Sequence, residues 1–201
     1  MRIPDEWSPY ITFGNMDRIR LIVPYFNKGN LMNHNIPSDF FIAKERIYNS
    51  IPFQGSDPIP YEDNAEYGAC TFILNDHSIH FRIAKITPTK IGQFVTLWKR
   101  VDNNPIQPFD FNDPFEFFII SVRKDHQIGQ FIFSKDLLVT KGVISKNNKN
   151  GKRAIRVYPP WDQTQNPQAT RTQKWQLDYF INLSSSHEID SLKIKKLLSK
   201  T

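Results

Sequence analysis

The chain is short of cysteine and of long apolar runs, and each shortage excludes a class of protein. Cys70 is its only cysteine in 201 residues, so neither an internal disulfide nor a cluster of thiolate metal ligands can form. A single thiol fits a reducing compartment, and we expect the protein to be cytoplasmic. The N-terminus has early acids, Asp5 and Glu6, in place of the apolar segment of a signal peptide. Without an apolar run of about 18 residues, we expect no contact with a membrane.

Several catalytic and cofactor motifs are also missing. The sequence contains no nucleophile elbow, no dinucleotide fingerprint and no phosphate-binding loop, since Gly151-Lys152 lacks the upstream glycine and the downstream hydroxyl residue. His77 and His80 have the spacing H-x-x-H, but no nearby cysteine completes a zinc site. We therefore predict no catalytic residue, no metal and no cofactor.

Positive charge is concentrated in the middle of the chain. The net charge of +6 divides into −3 for residues 1–66, +7 for residues 67–160 and +2 for residues 161–201. Two stretches, residues 80–100 and 141–161, hold cations and no acid at all. Such asymmetry favours a polyanionic partner, and nucleic acid fits better than a membrane because no strongly amphipathic basic helix is evident.

The second basic stretch combines charge with aromatic rings. If residues 153–158 form a strand, Arg156 and Tyr158 share one face with Lys152, while the β-branched Ile155 and Val157 share the other. Charge beside a flat ring suits a phosphate backbone with stacked bases, although a solvated strand would show the same pattern. Extending this reasoning to both stretches gives a predicted nucleic-acid surface of Arg82, Lys85, Lys90, Lys99, Arg100, Lys152, Arg153, Arg156, Tyr158, Trp161 and Lys174.

Periodicity predicts a mixed α/β chain. Residues 67–74 and 78–86 are expected to pair as a hairpin, and the apolar residues 116–122 as a central strand buried on both faces. Residues 88–100 fit either a strand or a helix, and their β-branched and aromatic content favours the strand. Helices are predicted after Ser38, Ser134 and Asn166, each of which is a suitable N-cap residue.

The length suits a single domain over residues 1–201. Residues 1–37 are expected to be irregular cover with one short element at residues 17–23. Residues 38–181 would form the core, and residues 186–201 a Lys-rich helical tail that is solvated and frayed. The oligomeric state is not predicted.

Three segments together resemble the MepB family of bacteria. They are residues 81–100 (FRIAKITPTKIGQFVTLWKR), residues 129–133 (GQFIF), and residues 151–162 (GKRAIRVYPPWD) with residues 172–176 (TQKWQ). The resemblance extends over roughly residues 60–181. In staphylococci the gene of this family lies beside a MarR-type repressor and a multidrug efflux pump.

The resemblance implies a core similar to PD-(D/E)XK nucleases, with a central mixed sheet flanked by helices, and implies nucleic-acid binding without established cleavage. The nuclease site requires an acid followed two positions later by lysine, and none of the 20 acids here has that neighbour. We therefore expect a nucleic-acid-binding protein, with single-stranded DNA or RNA favoured over duplex. The alternatives are an active Mg²⁺-dependent nuclease using Asp113 and Glu116, and an interaction partner of a drug-response regulator.

Overall fold

The computed structural model describes residues 36–48, 55–102, 104–147 and 149–199. These residues lie within the compact unit His34–Thr201. The irregular cover expected over residues 1–37, with its short element at residues 17–23, lies outside the described residues except for Ile36 and Pro37. Within the described ranges, no helix has both the length and the apolar character needed to cross a membrane.

The architecture is a mixed α+β fold with a central mixed sheet flanked by helices, as predicted. The main sheet has six strands in the order β1-β2-β3-β8-β9-β11, and a smaller sheet has the order β10-β5-β4. A third ladder joins β6 to β7. In chain order the strands are β1 Ile59–Pro60, β2 Cys70–Leu74, β3 His77–Ile83, β4 Lys85–Thr87, β5 Lys90–Thr96, β6 Trp98–Lys99, β7 Gln107–Pro108, β8 Phe117–Lys124, β9 Gln127–Ser134, β10 Ala154–Val157 and β11 Phe180–Asn182.

Four α-helices accompany the strands in the described part of the chain. They are α1 Ser38–Ala43, which continues as a π-helical turn over Lys44–Tyr48, α2 Lys135–Thr140, α3 Pro167–Leu177 and α4 Ser191–Leu198, with a 3₁₀ turn at Ala65–Tyr67. Ser134 and Asn166 cap α2 and α3 as predicted, each accepting a hydrogen bond from the backbone N–H of the third residue of its helix. Ser38 does not cap α1, because the helix already includes it and Pro37 occupies the N-cap position.

The central hairpin and the buried strand confirm the sequence pattern. Strands β2 and β3 pair antiparallel, and the turn places Asn75 and Asp76 at positive φ of 49° and 63°, conformations that Asn and Asp tolerate in tight hairpin turns. Strand β8 pairs parallel with β3 and antiparallel with β9. Its first six residues are buried, which explains their continuously apolar character.

The main sheet separates two hydrophobic cores. Because side chains alternate along a strand, Ile119 of β8 enters the core shared with α1 and α4, whereas Phe118 and Ile120 enter the core beneath the small sheet, α2 and α3. Ile194 and Leu198 of α4 are buried in the first core. The expectation of a solvated, frayed tail was therefore wrong for this helix, whose apolar side packs on the sheet.

Residues 88–100 form strands, not a helix. Strand β5 occupies the middle of the small sheet and pairs antiparallel with both β4 and β10. The predicted faces of β10 are confirmed, since Val157 is buried and Arg156 lies opposite Phe94 on the other face. A strand from residues 80–100 thereby pairs with a strand from residues 141–161, the two stretches that hold cations and no acid.

Candidate functional site

A cleft of about 430 Å³ lies where β10 faces α3. Among the described residues, four cations line it and no Asp or Glu does. Lys90 comes from the first basic stretch of the sequence, and Lys141, Lys152 and Arg156 come from the second. We call this space, with these four residues, the basic cleft. Pairing of β5 with β10 is what brings the two stretches together.

Gln176 fixes one wall of the basic cleft to the other. Its side-chain Nε2 donates to the backbone oxygen of Arg156 at 3.0 Å, and its Oε1 accepts from the backbone N–H of Tyr158 at 2.8 Å. The buried amide thus satisfies the hydrogen bonds of backbone groups on the outer side of β10, as a neighbouring strand would. Helix α3 is therefore held against β10, and the cleft is preformed.

Arg156 lines the cleft, but its guanidinium is engaged by the protein. Nη1 donates to the backbone oxygen of Gly92 at 2.9 Å, and Nη2 donates to Oγ1 of Thr87 at 2.8 Å. The same group lies 5.7 Å from the ring centroid of Phe94. Arg156 therefore ties the β4–β5 hairpin to β10.

Two aromatic side chains border the same space. The ring of Tyr158 packs on Gly92, where a Cβ atom would come within 2.5 Å of it. Gly92 has φ of +84°, and its lack of a side chain permits both this backbone conformation and the close contact with Tyr158. On α3, the Trp175 ring lies 5.0 Å from the ammonium of Lys141, a cation–π contact that orients this lysine.

Three other predicted cations are paired with carboxylates. Lys85 contacts Glu66 at 3.1 Å, Lys99 contacts Asp113, and Arg100 lies 3.8 Å from Asp63. None of the three lines the basic cleft. Their acidic partners come from segments distant in sequence, so the absence of acids within residues 80–100 does not make that stretch uniformly positive in three dimensions.

The remaining predicted surface residues are dispersed. Lys152 and Arg153 are exposed on the two positions just before β10, but only Lys152 lines the cleft. Lys174 is exposed on α3, on the side opposite Thr172, which faces the cleft. Trp161 is half-buried, and its ring meets Phe180 edge to face at 5.6 Å.

Arg82 is not on the surface. It is 0% exposed in β3, and its guanidinium lies 4.7 Å from the ring centroid of Tyr61. Nη1 donates to the backbone oxygen of Phe81, whereas Nε and Nη2 have no hydrogen-bond partner among the described residues. Alternation along β3 places Arg82 on the side of Phe118 and the second core, where the Tyr61 ring also packs on its guanidinium. This residue cannot contact a phosphate at the surface.

His80 shares that interior with Arg82. Its Nδ1 lies 3.1 Å from the hydroxyl of Tyr61, and its ring stacks on Phe118 with centroids 5.1 Å apart. Burial, and secondarily the charge of Arg82, hold the pKa of His80 well below its usual range. Burial raises the pKa of Tyr61. Both side chains are therefore neutral partners of one another.

The carboxylates considered for Mg²⁺ have other partners. Asp113 accepts from Lys99 and, at 2.7 Å, from the backbone N–H of Asp110. Glu116 accepts from the backbone N–H of Ser78 at 3.2 Å and contacts His77. Among the described residues no group of three or more His, Cys, Asp or Glu side chains could hold a metal ion. Asp113 and Glu116 therefore act mainly in positioning the loop that precedes β8.

Two residues of the basic cleft were missed by sequence reasoning. They are Lys141, which follows the last turn of α2, and Trp175, which lies on the side of α3 that lines the cleft. The helix period places Thr172, Trp175 and Gln176 on one side of α3, but periodicity does not show what that side faces. The cation–π contact of Lys141 with Trp175 forms because α2 and α3 both pack on the second core.

Comparison with known proteins identifies similar chains. A family model described as MepB-like matches residues 61–182. The crystal structure of MepB is similar with 34% identity and a TM-score of 0.64, over 76% of this chain and 99% of that chain. The structure of a bacterial homing endonuclease is similar with 15% identity and a TM-score of 0.40, over 68% of this chain and 85% of that chain. A search of curated proteins finds no match.

Proposed function

We propose that this chain, which belongs to the MepB-like family, binds single-stranded nucleic acid through the basic cleft. The observation that carries the proposal is the meeting of Lys90, Lys141 and Lys152 around one space that no carboxylate of the described segments lines. Closely spaced lysines raise the local positive potential, and each phosphate that they neutralise releases counterions. This favourable release of counterions drives binding without requiring a particular nucleotide sequence.

The dimensions of the cleft favour single strands. A volume of about 430 Å³ lies within the range of pockets that enclose small ligands. Such a space admits a nucleotide or two in an extended strand but not a duplex. The side chains of Tyr158 and Trp175 border it, and aromatic groups of this kind offer surfaces against which bases can pack.

The cations outside the cleft have a supporting role in this proposal. Arg153 and Lys174 are exposed and would add to the long-range attraction of a polyanion. Lys85, Lys99 and Arg100 are compensated by nearby acids, so their contribution to affinity is smaller than their charge alone suggests.

The salt dependence of binding tests this proposal. We expect the affinity for a fluorescent single-stranded oligonucleotide, measured by anisotropy, to fall steeply between low and high salt. Replacing Lys90, Lys141 or Lys152 singly with Gln should lower the affinity and reduce the logarithmic salt slope by about 0.7 for each phosphate that the variant no longer neutralises.

A matched variant controls for the loss of charge itself. Lys174→Gln removes one charge from the same region but outside the cleft, and it should leave the salt slope close to that of the wild type. An affinity that is unchanged by salt, or equal reductions of affinity in Lys174→Gln and Lys152→Gln, would refute the assignment of binding to this cleft.

A further inference from the structure

A second groove meets the basic cleft at Lys90. It has a volume of about 520 Å³ and lies between the β4–β5 hairpin, the end of β8 and residues 161–165. We call this space the hairpin groove. Lys90 is exposed and lines both spaces. Because one lysine borders both, a nucleic-acid strand bound in the basic cleft and held at Lys90 can extend into the hairpin groove.

Lys124 is the second cation of the hairpin groove. It is exposed at the end of β8, and among the described residues no carboxylate lies within ion-pair distance of its ammonium. The ammonium of Lys90 is likewise unpaired in the part of the chain that the structure describes. The neighbouring Arg123 differs, because its guanidinium contacts Asp39 at 2.6 Å. Two uncompensated ammonium groups therefore border the groove, and each can neutralise a phosphate.

Gln93 of β5 holds the backbone around Lys124 beside the hairpin. This buried side chain donates from Nε2 to the backbone oxygen of Arg123, and its Oε1 accepts from the backbone N–H of Arg123, both at 3.3 Å. Lys124 itself pairs with Gln127 at the start of β9. The end of β8 is thereby fixed to β5 before any ligand arrives, which reduces the ordering that binding requires.

The rest of the lining makes the hairpin groove the weaker of the two spaces for an anion. Ile86 and Ile91 are exposed there and offer an apolar surface against which a sugar or base can pack. Asp162 also lines the groove, and its negative charge reduces the attraction of phosphate by the two lysines. The basic cleft has four cations and no such acid among the described residues. A short ligand is therefore expected to occupy the basic cleft first.

We propose that the hairpin groove binds the next nucleotides of the strand held in the basic cleft, with Lys124 as a phosphate contact. In this arrangement Lys90 contacts the phosphate that lies between the two spaces. The combined site holds about four nucleotides, which is at the lower end of the site sizes of known single-strand grooves. Lys124 lies outside both acid-free stretches of the sequence, so only the fold brings it to this path. The inference rests on the proposed binding of single strands.

Labelled oligothymidines of two lengths test the extended site. A dinucleotide fits in the basic cleft alone, whereas an octanucleotide reaches both spaces. We expect Lys124→Gln to lower the affinity for the octanucleotide about fivefold at about 0.1 M salt and to reduce its logarithmic salt slope by about 0.7. The same variant should bind the dinucleotide as the wild type does. Lys195→Gln removes an equal charge from an exposed position on α4 and should alter neither affinity.

Two tryptophans report which space is occupied, because Trp175 lines the basic cleft and Trp161 lines the hairpin groove. Their resonances can be followed by ¹⁹F NMR of protein containing 5-fluorotryptophan and assigned through Trp161→Phe and Trp175→Phe. We expect the dinucleotide to shift the Trp175 resonance, and the octanucleotide to shift both.

The outcomes separate this inference from the proposed function. If Lys152→Gln weakens binding of both oligonucleotides and Lys124→Gln weakens neither, the extension into the hairpin groove is wrong and the basic cleft remains the binding site. The same conclusion follows if the octanucleotide leaves the Trp161 resonance unshifted. Equal weakening of both lengths by Lys124→Gln would also overturn the extension, since a dinucleotide in the cleft does not reach Lys124. If neither oligonucleotide binds, the proposed function and this inference both fail.

Discussion

Arg82 carries a full charge in the interior, with two of its nitrogens lacking hydrogen-bond partners among the described residues. A buried, incompletely paired cation costs desolvation energy that its few contacts do not recover. We expect Arg82→Met, which keeps most of the volume, to have a free energy of unfolding equal to or above that of the wild type. Arg82→Ala should lose about 2–5 kcal/mol because it leaves a cavity. Urea unfolding followed by tryptophan fluorescence measures both.

The variant Arg82→Met also tests whether Arg82 participates in binding. Because it cannot reach the surface, Arg82→Met should bind single-stranded oligonucleotides as tightly as the wild type. A loss of affinity comparable to that of Lys152→Gln, in a protein of undiminished stability, would contradict the buried placement.

His80 makes the stability of the fold sensitive to acid. Its folded-state pKa is depressed by burial, so below about pH 6.5 the unfolded chain binds a proton that the native chain does not. Its contribution to stability is complete above that pH. The contribution is lost as the pH falls towards the folded-state pKa, at up to about 1.4 kcal/mol per pH unit. Unfolding free energies measured from pH 7.5 to pH 5 should show this slope.

A substitution separates His80 from the other histidines. His80→Gln retains a hydrogen-bonding group for Tyr61 but cannot titrate, so it should flatten the pH dependence below about pH 6.5. His126→Gln replaces an exposed histidine and should leave the slope intact. Persistence of the full slope in His80→Gln would show that another group controls it.

At the scale of elements, α4 contributes to the core although its sequence is rich in lysine. Ile194 is 0% exposed and Leu192, two residues earlier, is 78% exposed. We therefore expect Ile194→Ala to lower the free energy of unfolding by about 2–5 kcal/mol. Leu192→Ala should change it by less than about 0.5 kcal/mol. Equal effects of the two substitutions, measured in urea, would mean that α4 does not pack on the sheet.

The elements themselves were largely predictable because their causes are local. The apolar run of β8 and the caps at Ser134 and Asn166 act within a few residues. What could not be predicted is which layer covers which face. Alternation places Arg82 opposite Phe81 in β3 but does not show that Tyr61 and the second core enclose it, and the acid that compensates Lys99 comes from Asp113 in a different segment. Site residues depend on such long-range contacts, so the candidate surface was only partly anticipated.

At the scale of the whole molecule, the two faces of the main sheet have different surroundings. Helix α4 packs on the face of the first core, whereas β10 and α3, which form the basic cleft, belong with the second. The total charge of +6 is a property of the chain, but short-range binding depends on where the charges lie, because screening removes the influence of charges beyond about 10 Å at 0.1 M salt.

Two double variants that remove the same number of positive charges distinguish the effect of where the charges lie from the effect of the net charge. Replacing Lys90 and Lys152 with Gln removes two positive charges from the cleft. Replacing Lys195 and Lys196 with Gln removes two exposed charges from α4. At about 0.1 M salt we expect the cleft pair to lower the affinity for a single-stranded oligonucleotide by tenfold or more, and the α4 pair by about twofold or less. Similar reductions would indicate attraction by net charge alone. At lower salt, replacing Lys195 and Lys196 should also weaken binding, because a longer screening length lets these more distant charges attract the oligonucleotide.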